Sequence, residues 1–454
     1  MSTLTNRLFR LYRRATDSIA LYPTLVALGL VALCVVSIVL EMTWLQPYKQ
    51  DLELGIVKNA ANARLILGTL VGGVISLMVF SFSMVMVVLS TAANALSPRV
   101  LPGLISRRSH QVVLGFYLGT IIDSLLLVAT IQEGDQINVP SLGIYLALVL
   151  GVVCLCLFIY FIRTISLSIQ VDFNLNRLYK QTLAQLAEQR ARWEALDTRP
   201  GWPDDTDWTV ARSRKAGYFK ALNQAAALDI LARNDLRMSV QIHNGFFVMP
   251  GHPLFRLDRD PQDERLMDAL LDCFDFYVEE YADRHHFFGF KQISEIAIRA
   301  LSPAVNDPGT AIKAIDMLTV LFAERLRLPD HDVACDESGR PRLFLREMTL
   351  DAMLHAVLEP IRRYGHADVP VLLSLLQACK NLLFTGPDAD AEAVLLRHAK
   401  AVIPRDGQVV EAIDLDVIDQ AIERLNATLR HHGPIAPAPR GGILGADRCP
   451  TSQS

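Results

Sequence analysis

The sequence lacks the signatures that would assign it a familiar chemistry. It contains no H-E-x-x-H, no P-loop, no G-x-S-x-G and no G-x-G-x-x-G, so serine-nucleophile and phosphate-cradle chemistry have no support. Seven cysteines, Cys34, Cys154, Cys156, Cys273, Cys335, Cys379 and Cys449, are dispersed along the chain. No pair has the C-x-x-C spacing of a zinc or redox site, and no disulfide framework can be read from them. That usage fits a soluble domain in a reducing compartment. An excess of one charge is missing as well: 44 Lys and Arg against 48 Asp and Glu give a formal charge of −4, so nothing points to a nucleic-acid partner.

What is present is apolarity. Of 454 residues 51% are hydrophobic, mean hydropathy is +0.27, and the excess lies before Ile165, which implies a membrane part followed by a soluble part. Four runs, Leu21–Leu40, Leu65–Ala93, Val112–Ile131 and Leu142–Ile162, reach the roughly 20 apolar residues a spanning helix needs. No small-residue cleavage site precedes Glu41, so the first run reads as a span rather than a cleaved signal. Arg7, Arg10, Arg13 and Arg14, then Arg99, Arg107 and Arg108, then Arg163, Arg177 and Lys180 mark one side of the membrane. The intervening loops are poorer: Lys49, Lys58 and Arg64 are offset by Glu41, Asp51 and Glu53, and the last loop has only Glu133 and Asp135. Both termini are therefore expected in the cytoplasm.

The second run carries Thr69, Ser76, Ser83, Ser90 and Ser97 at seven-residue steps, with Gly72, Gly73 and Asn94 on or near that face. Steps of seven return almost to one side of a helix. Such a stripe suits close helix packing, Gly68-x-x-x-Gly72 included, or the lining of a pore; the opposite side, with Leu70, Phe80, Phe82, Met84, Val85 and Leu89, is expected to meet lipid. Asp123 lies near the middle of the third run, where an ionisable group costs at least about 2.5–3.5 kcal/mol. It reads either as an ion site or as a carboxyl hydrogen-bonded to the hydroxyl stripe.

Residues 166–211 read as a helical stalk continuing out of the fourth span and a linker, Arg199–Asp207, followed by a small β-rich module at 212–258. There Leu236, Met238, Val240 and Ile242 alternate with polar residues, Asn244-Gly245 signals a hairpin, and Gly217–Leu222 is an earlier strand. Residues 259–431 are helical in pattern, the first helix carrying Leu266, Leu270, Phe274, Tyr277 and Tyr281; residues 432–454, rich in Pro and Gly, are expected to be disordered. Asp307 followed by Pro308 forms an N-cap and first-turn proline, so a helix starts there. Arg299, Asn306, Asp307 and Thr310 gather at this junction, where they could bind a ligand or partner loop, or simply cap a helix–turn–helix. Glu279, Glu280, Asp283, His285 and His286 crowd one helix end; without a repeat on another helix they read as a solvated terminus. No catalytic residue, metal site or cofactor is assigned.

Ser97-Pro98-Arg99, Leu114-Gly115-Phe116, Gly119-Thr120, the string Ala300-Leu301-Ser302-Pro303-Ala304-Val305-Asn306-Asp307-Pro308, and Arg363-Tyr364-Gly365 resemble a bacterial family of predicted membrane proteins, domain of unknown function 2254. The likeness runs from about Arg7 to Arg430. It implies residence in the bacterial inner membrane and a cytoplasmic C-terminal domain, and no established activity. The expected fold is mainly α: four transmembrane helices and a mostly helical cytoplasmic domain with a small β module. The first functional reading is a homo-oligomeric channel-like or transport-related protein in the lipid bilayer, passing a small ion and regulated by its cytoplasmic domain. The second is a membrane-anchored sensor or scaffold that binds a cytoplasmic ligand or partner. The third is a membrane-bound metal-dependent enzyme.

Overall fold

The computed structural model describes residues 21–41, 43, 60–95, 108–131, 140–196, 200–277, 285–404 and 411–439. The arginine-rich N-terminus, the loops carrying Lys49 and Glu133, Ser97, the acidic residues Glu279, Glu280 and Asp283, and residues 440–454 lie outside the described residues. The chain divides into two units: one formed by residues up to 94 and 100–173, the other by 95–99 and 174–454.

The first unit consists of α1 (Leu21–Leu40), α2 (Ala60–Ala95), α3 (Arg108–Thr130) and α4 (Ser141–Ile169), all long and apolar enough to cross a membrane. Helix α3 packs on α1 through Gly115 and Gly119. A Cβ on Gly115 would fall 3.0 Å from Pro23 Cα, and one on Gly119 would fall 3.2 Å from Ala27 Cα. This is the small-x-x-x-small approach by which helices associate without a hydrophobic drive. Glu41, after α1, accepts from the amides of Ser141 (2.8 Å) and Leu142 (3.0 Å), so a carboxylate satisfies the first N–H groups of α4.

In α2 the buried positions Leu67, Val74, Ser81 and Val88 recur every seventh residue. Thr69, Ser76, Ser83 and Ser90 stand two residues on, about 200° around the helix, and are exposed. Of the side expected to meet lipid, Phe80 and Phe82 are exposed, but the rest of the arrangement differs. Leu70, Met84 and Val85 pack inward against the core of Val74, Val113, Tyr117 and Cys154, while the hydroxyl face points away. A Cβ on Gly68, Gly72 or Gly73 would meet nothing within 4 Å.

Helix α5 (Val171–Glu194) starts one residue beyond α4 and belongs to the second unit from Asn174 on; Gln170, with φ −70° and ψ 121°, interrupts the expected continuous helix. A five-stranded sheet follows in the order β1 (Thr209–Arg212), β5 (Pro253–Leu257), β3 (Met238–Val240), β8 (Pro341–Arg346), β7 (His331–Cys335). Only the β3–β8 pair is parallel. A three-stranded antiparallel sheet runs β4 (Phe247–Val248), β2 (Gly217–Leu222), β6 (Phe274–Tyr277). The Asn244-Gly245 turn, with Gly245 at φ +82°, does not close a hairpin between β3 and β4: it passes the chain from one sheet to the other. Helices α6 (Gln224–Arg233) and α7 (Glu264–Leu271) complete this part. Phe274 is a strand residue rather than helical, because it stacks on Phe255 at 5.3 Å and meets Phe219 at 5.6 Å, the pleated, half-buried setting aromatics favour.

Six further helices, α8 (His286–Ala300), α9 (Pro308–Arg325), α10 (Leu350–Tyr364), α11 (Val369–Phe384), α12 (Ala389–Val402) and α13 (Ala412–Asn426), make the helical part. Ile293, Ile296, Ala297 and Ala300 of α8 are all buried. The sheet therefore draws strands from 331–346 as well as from 212–258. The presumed linker is pinned to it: Asp205 accepts from Ser239 Oγ and Gln241 Nε2, both at 2.6 Å. Residues 432–439, expected to be disordered, form a strap. Asn426 bonds Ile435 through both its amide groups, Ala438 N donates to Asp419, and Ile435 and Ala438 are buried.

Candidate functional site

Within the second unit a cavity of about 270 Å³ opens between α5, the end of β2, the end of β8 and the start of α8. At about 30 Å³ per water molecule it has room for a hydrated ion or a small polar molecule. Its walls carry Gln185, Glu188, Gln189 and Arg192 from α5, Lys220 from β2, Asp332 from β7, and His285, His286 and Glu347.

The local sequence explains why these last three meet. His285 is the N-cap of α8, and its Nδ1 accepts from Phe287 N at 3.3 Å. His286 opens the helix and turns inward, its ring 4.1 Å from that of His285. Glu347 follows β8, and its amide donates to the Asp330 carbonyl at 3.1 Å. The buried Arg325, at the end of α9, donates to Leu328 O (2.8 Å), Asp330 Oδ1 (2.6 Å) and Met348 O (2.9 Å). That fastens the segment bearing Glu347. Gly289 sets the spacing between α8 and α5: a Cβ there would fall 2.9 Å from Thr182 Cβ.

One ligating atom from each of His285, His286 and Glu347 lies within 4.8 Å of the others. His285 Nε2 stands 3.1 Å from Glu347 Oε2. His286 is 4% exposed and its Nε2 has no hydrogen-bond partner; Gln189 Oε1, on the facing wall, is likewise buried and unpartnered. Burial, and then the charges of His285 and Arg325, hold His286 well below the ordinary histidine value, against the opposing pull of Glu347. Burial alone would raise Glu347, but the charge of His285, the hydrogen bond from it, and the nearby His286 and Arg325 bring it down to about 2. Asp332 is raised by burial, with Arg192 opposing and Glu347 adding. The centre thus presents a neutral imidazole with an open nitrogen beside an ionised carboxylate. These two histidines, taken from the sequence as part of a solvated helix end, are instead packed inside the unit.

The other sequence candidates stand elsewhere. At the Asn306–Thr310 junction the Asp307 carboxylate accepts from Thr310 N (3.1 Å) and Thr310 Oγ1 (2.6 Å), and Asn306 takes φ +49°. Asp307 is used as the cap of α9. Neither it nor Arg299, Asn306 or Thr310 lines the cavity. Asp123 is fully buried in the membrane unit, and neither carboxylate oxygen has a hydrogen-bond partner. It makes no hydrogen bond to the hydroxyl stripe, and Cys34 Sγ of α1 approaches its backbone carbonyl at 4.0 Å. The signal for Glu347 was present only in part. Val333-Ala334-Cys335, Asp336-Glu337-Ser338-Gly339 and Leu343-Phe344-Leu345 make a strand–turn–strand pattern, but nothing local joins it to His285.

Comparison with known proteins agrees with the four apolar helices. The profile of a family described as predicted membrane protein, DUF2254, matches residues 16–381. Uncharacterized proteins of Mycobacterium bovis and Mycobacterium tuberculosis are similar, each 26% identical over 374 residues, spanning 79% of this chain and 71% of the relative. No solved structure matches the chain. With the family profile spanning most of its length, the chain belongs to the DUF2254 family of predicted membrane proteins.

Proposed function

We propose that the protein is a membrane-anchored sensor. The four spans hold it in the bacterial inner membrane with both termini in the cytoplasm, and the second unit binds a small polar ligand in the His285–His286–Glu347 cavity. The orientation rests on the Lys and Arg distribution of the short segments. The binding reading rests on one observation: two buried polar atoms on facing walls, His286 Nε2 and Gln189 Oε1, have no partner. An unsatisfied buried group costs about 1–3 kcal/mol, and a ligand bridging the cavity removes that cost. Gln189 lies on α5, which follows the last span after Gln170 alone, so occupancy bears on the segment that leaves the membrane.

The test uses the full chain in nanodiscs. Thermal shift is screened with divalent cations, amino acids and nucleotides, and hydrogen exchange is followed across residues 160–190. A ligand that raises the melting temperature should protect α5, and His286→Gln should abolish both effects. If no compound shifts the melt, or if occupancy leaves exchange around Gln170 unchanged, the sensor reading fails.

The channel-like reading has its own support in the outward hydroxyl and glycine face of α2, which no other described helix of the chain covers. Copies meeting through that face would surround a common axis. Ion flux in liposomes, altered by Ser83→Leu, supports this reading; absence of flux under voltage, tension or ligand removes it.

A further inference from the structure

We infer that the cavity's ligand is a divalent transition-metal ion of the zinc class, held by His285 Nε2, His286 Nε2 and the Glu347 carboxylate. The inference rests on the sensor reading for its cavity and adds the identity of what fills it. Two imidazoles and one carboxylate are a ligand set that zinc, with tetrahedral preference and nitrogen and oxygen donors, accepts with a water molecule in the fourth place. The three ligating atoms already converge within 4.8 Å, so modest side-chain rotation closes them around one ion. They come from two separate stretches of chain, fixed by the α8 cap and by Arg325.

A plain His285–Glu347 hydrogen bond does not account for His286. That ring is 4% exposed and has no partner at Nε2. A buried ring nitrogen left open in this way is a donor that a metal ion can take up. The cavity's two arginines are already engaged, which leaves Lys220 as its other cationic wall residue. Arg192 is engaged by Glu188 at 3.1 Å and Asp332 at 3.5 Å, and Arg346 lies over the Trp202 ring at 5.2 Å.

Metal entry changes two contacts. The His285 Nε2–Glu347 contact opens to admit the ion between its partners. The His285 ring proton moves to Nδ1, and the 3.3 Å bond from Phe287 N is given up.

The experiment takes the full chain in detergent micelles, stripped with chelator, and titrates it with Co2+ alone and then with Zn2+ alone. The expected result is one Co2+ per chain with visible absorption of a four-coordinate site, displaced by Zn2+, and a higher melting temperature with either ion. His285→Asn keeps a side chain able to cap α8 while removing the imidazole. Together with His286→Gln and Glu347→Gln it should weaken binding more than about 100-fold, beyond what loss of an outer-shell partner costs. Unliganded melting temperature and elution volume show that each variant folds; a variant that does not fold is replaced in the comparison by His285→Asn. Absence of a cobalt spectrum with wild-type protein, or equal affinity in His285→Asn, overturns the metal assignment. The sensor reading fails on a different measurement: no exchange response around Gln170 to any bound compound. A cavity that binds another ligand with that response and ignores Co2+ and Zn2+ separates the two.

Discussion

Glu359 on α10 is clasped by Arg362 through two bonds, Nε to Oε2 at 2.7 Å and Nη2 to Oε1 at 2.6 Å, with Arg363 Nε adding a third at 2.9 Å. The hydrogen bonds from Arg362 dominate, burial opposes them, and the carboxyl falls from 4.5 to about 2. A depressed carboxyl stabilises the fold fully above its unfolded value, and that contribution is lost as pH falls through the folded one. The melting-temperature gap between wild type and Glu359→Gln should therefore be constant above pH 4.5 and close steadily toward pH 2; a gap independent of pH over that window would contradict the assignment. Buried thiols give a second residue-scale test. Burial pushes Cys379 up to about 12 and Cys273 to about 11, and the thiolate is the reactive form. Iodoacetamide at pH 8 should leave both unmodified in the native chain and alkylate both in denaturant, as read by mass spectrometry. The same scale shows what the sequence could and could not tell about the site. Asp307 as a cap was legible because its partner, Thr310, is three residues away. His285 and His286 were visible as a pair, yet the carboxylate that joins them among the described residues is Glu347, which only the fold brings to them.

Helix–helix contacts decide where the site's walls stand, and they show which elements declare themselves locally. Four spans and helix α11, Val369–Phe384, follow from long apolar runs and caps. The strands β6, β7 and β8 do not, since short apolar runs carry little period and their pairing, β3 with β8 above all, joins residues about a hundred apart. The two glycine pairs in the membrane unit make the same point: Gly68-x-x-x-Gly72 and Gly115-x-x-x-Gly119 are equivalent as sequence, but among the described residues only the second lies against another helix. In the second unit Gly289 is the corresponding contact, between α8 and Thr182 of α5. Thr182 is buried and its hydroxyl donates to Leu178 O at 2.7 Å, so it has no room to yield. Gly289→Ala should destabilise the full chain by about 1–3 kcal/mol, the usual cost of overpacking, and should lower cobalt affinity by displacing His286. Gly309→Ala is the control: its nearest neighbour would be Asp307 Oδ1 at 3.4 Å, an ordinary contact, and its melt should match wild type. Equal melts for the two variants would show that α8 and α5 are not in close contact.

At the scale of the whole molecule the unresolved matter is what covers α2. The other outward surfaces of the membrane unit are apolar, with Leu25, Val36, Phe82 and Ile159 exposed, as a lipid boundary requires. The hydroxyls alone do not conflict with lipid, since Thr69 donates to Leu65 O at 2.7 Å and Ser76 to Gly72 O at 2.9 Å. The glycines do call for a reason. Each costs about 1 kcal/mol relative to alanine in a helix, and a Cβ on Gly68, Gly72 or Gly73 would meet no described residue within 4 Å. A second copy packed face to face would use them as Gly115 and Gly119 are used against α1. In a Cys156→Ser background, which removes the exposed membrane-unit thiol, Ser76→Cys and Ser83→Cys should form disulfide-linked dimers on oxidation in native membranes. Val74→Cys, on the buried face at 3% exposure, should not. Adding Gly72→Leu to Ser76→Cys should cut the dimer yield severalfold, because the bulky side chain holds the two backbones apart. If Ser76→Cys and Ser83→Cys remain monomeric, the stripe faces lipid and the oligomeric, channel-like reading falls, while the cavity in the second unit keeps its own tests.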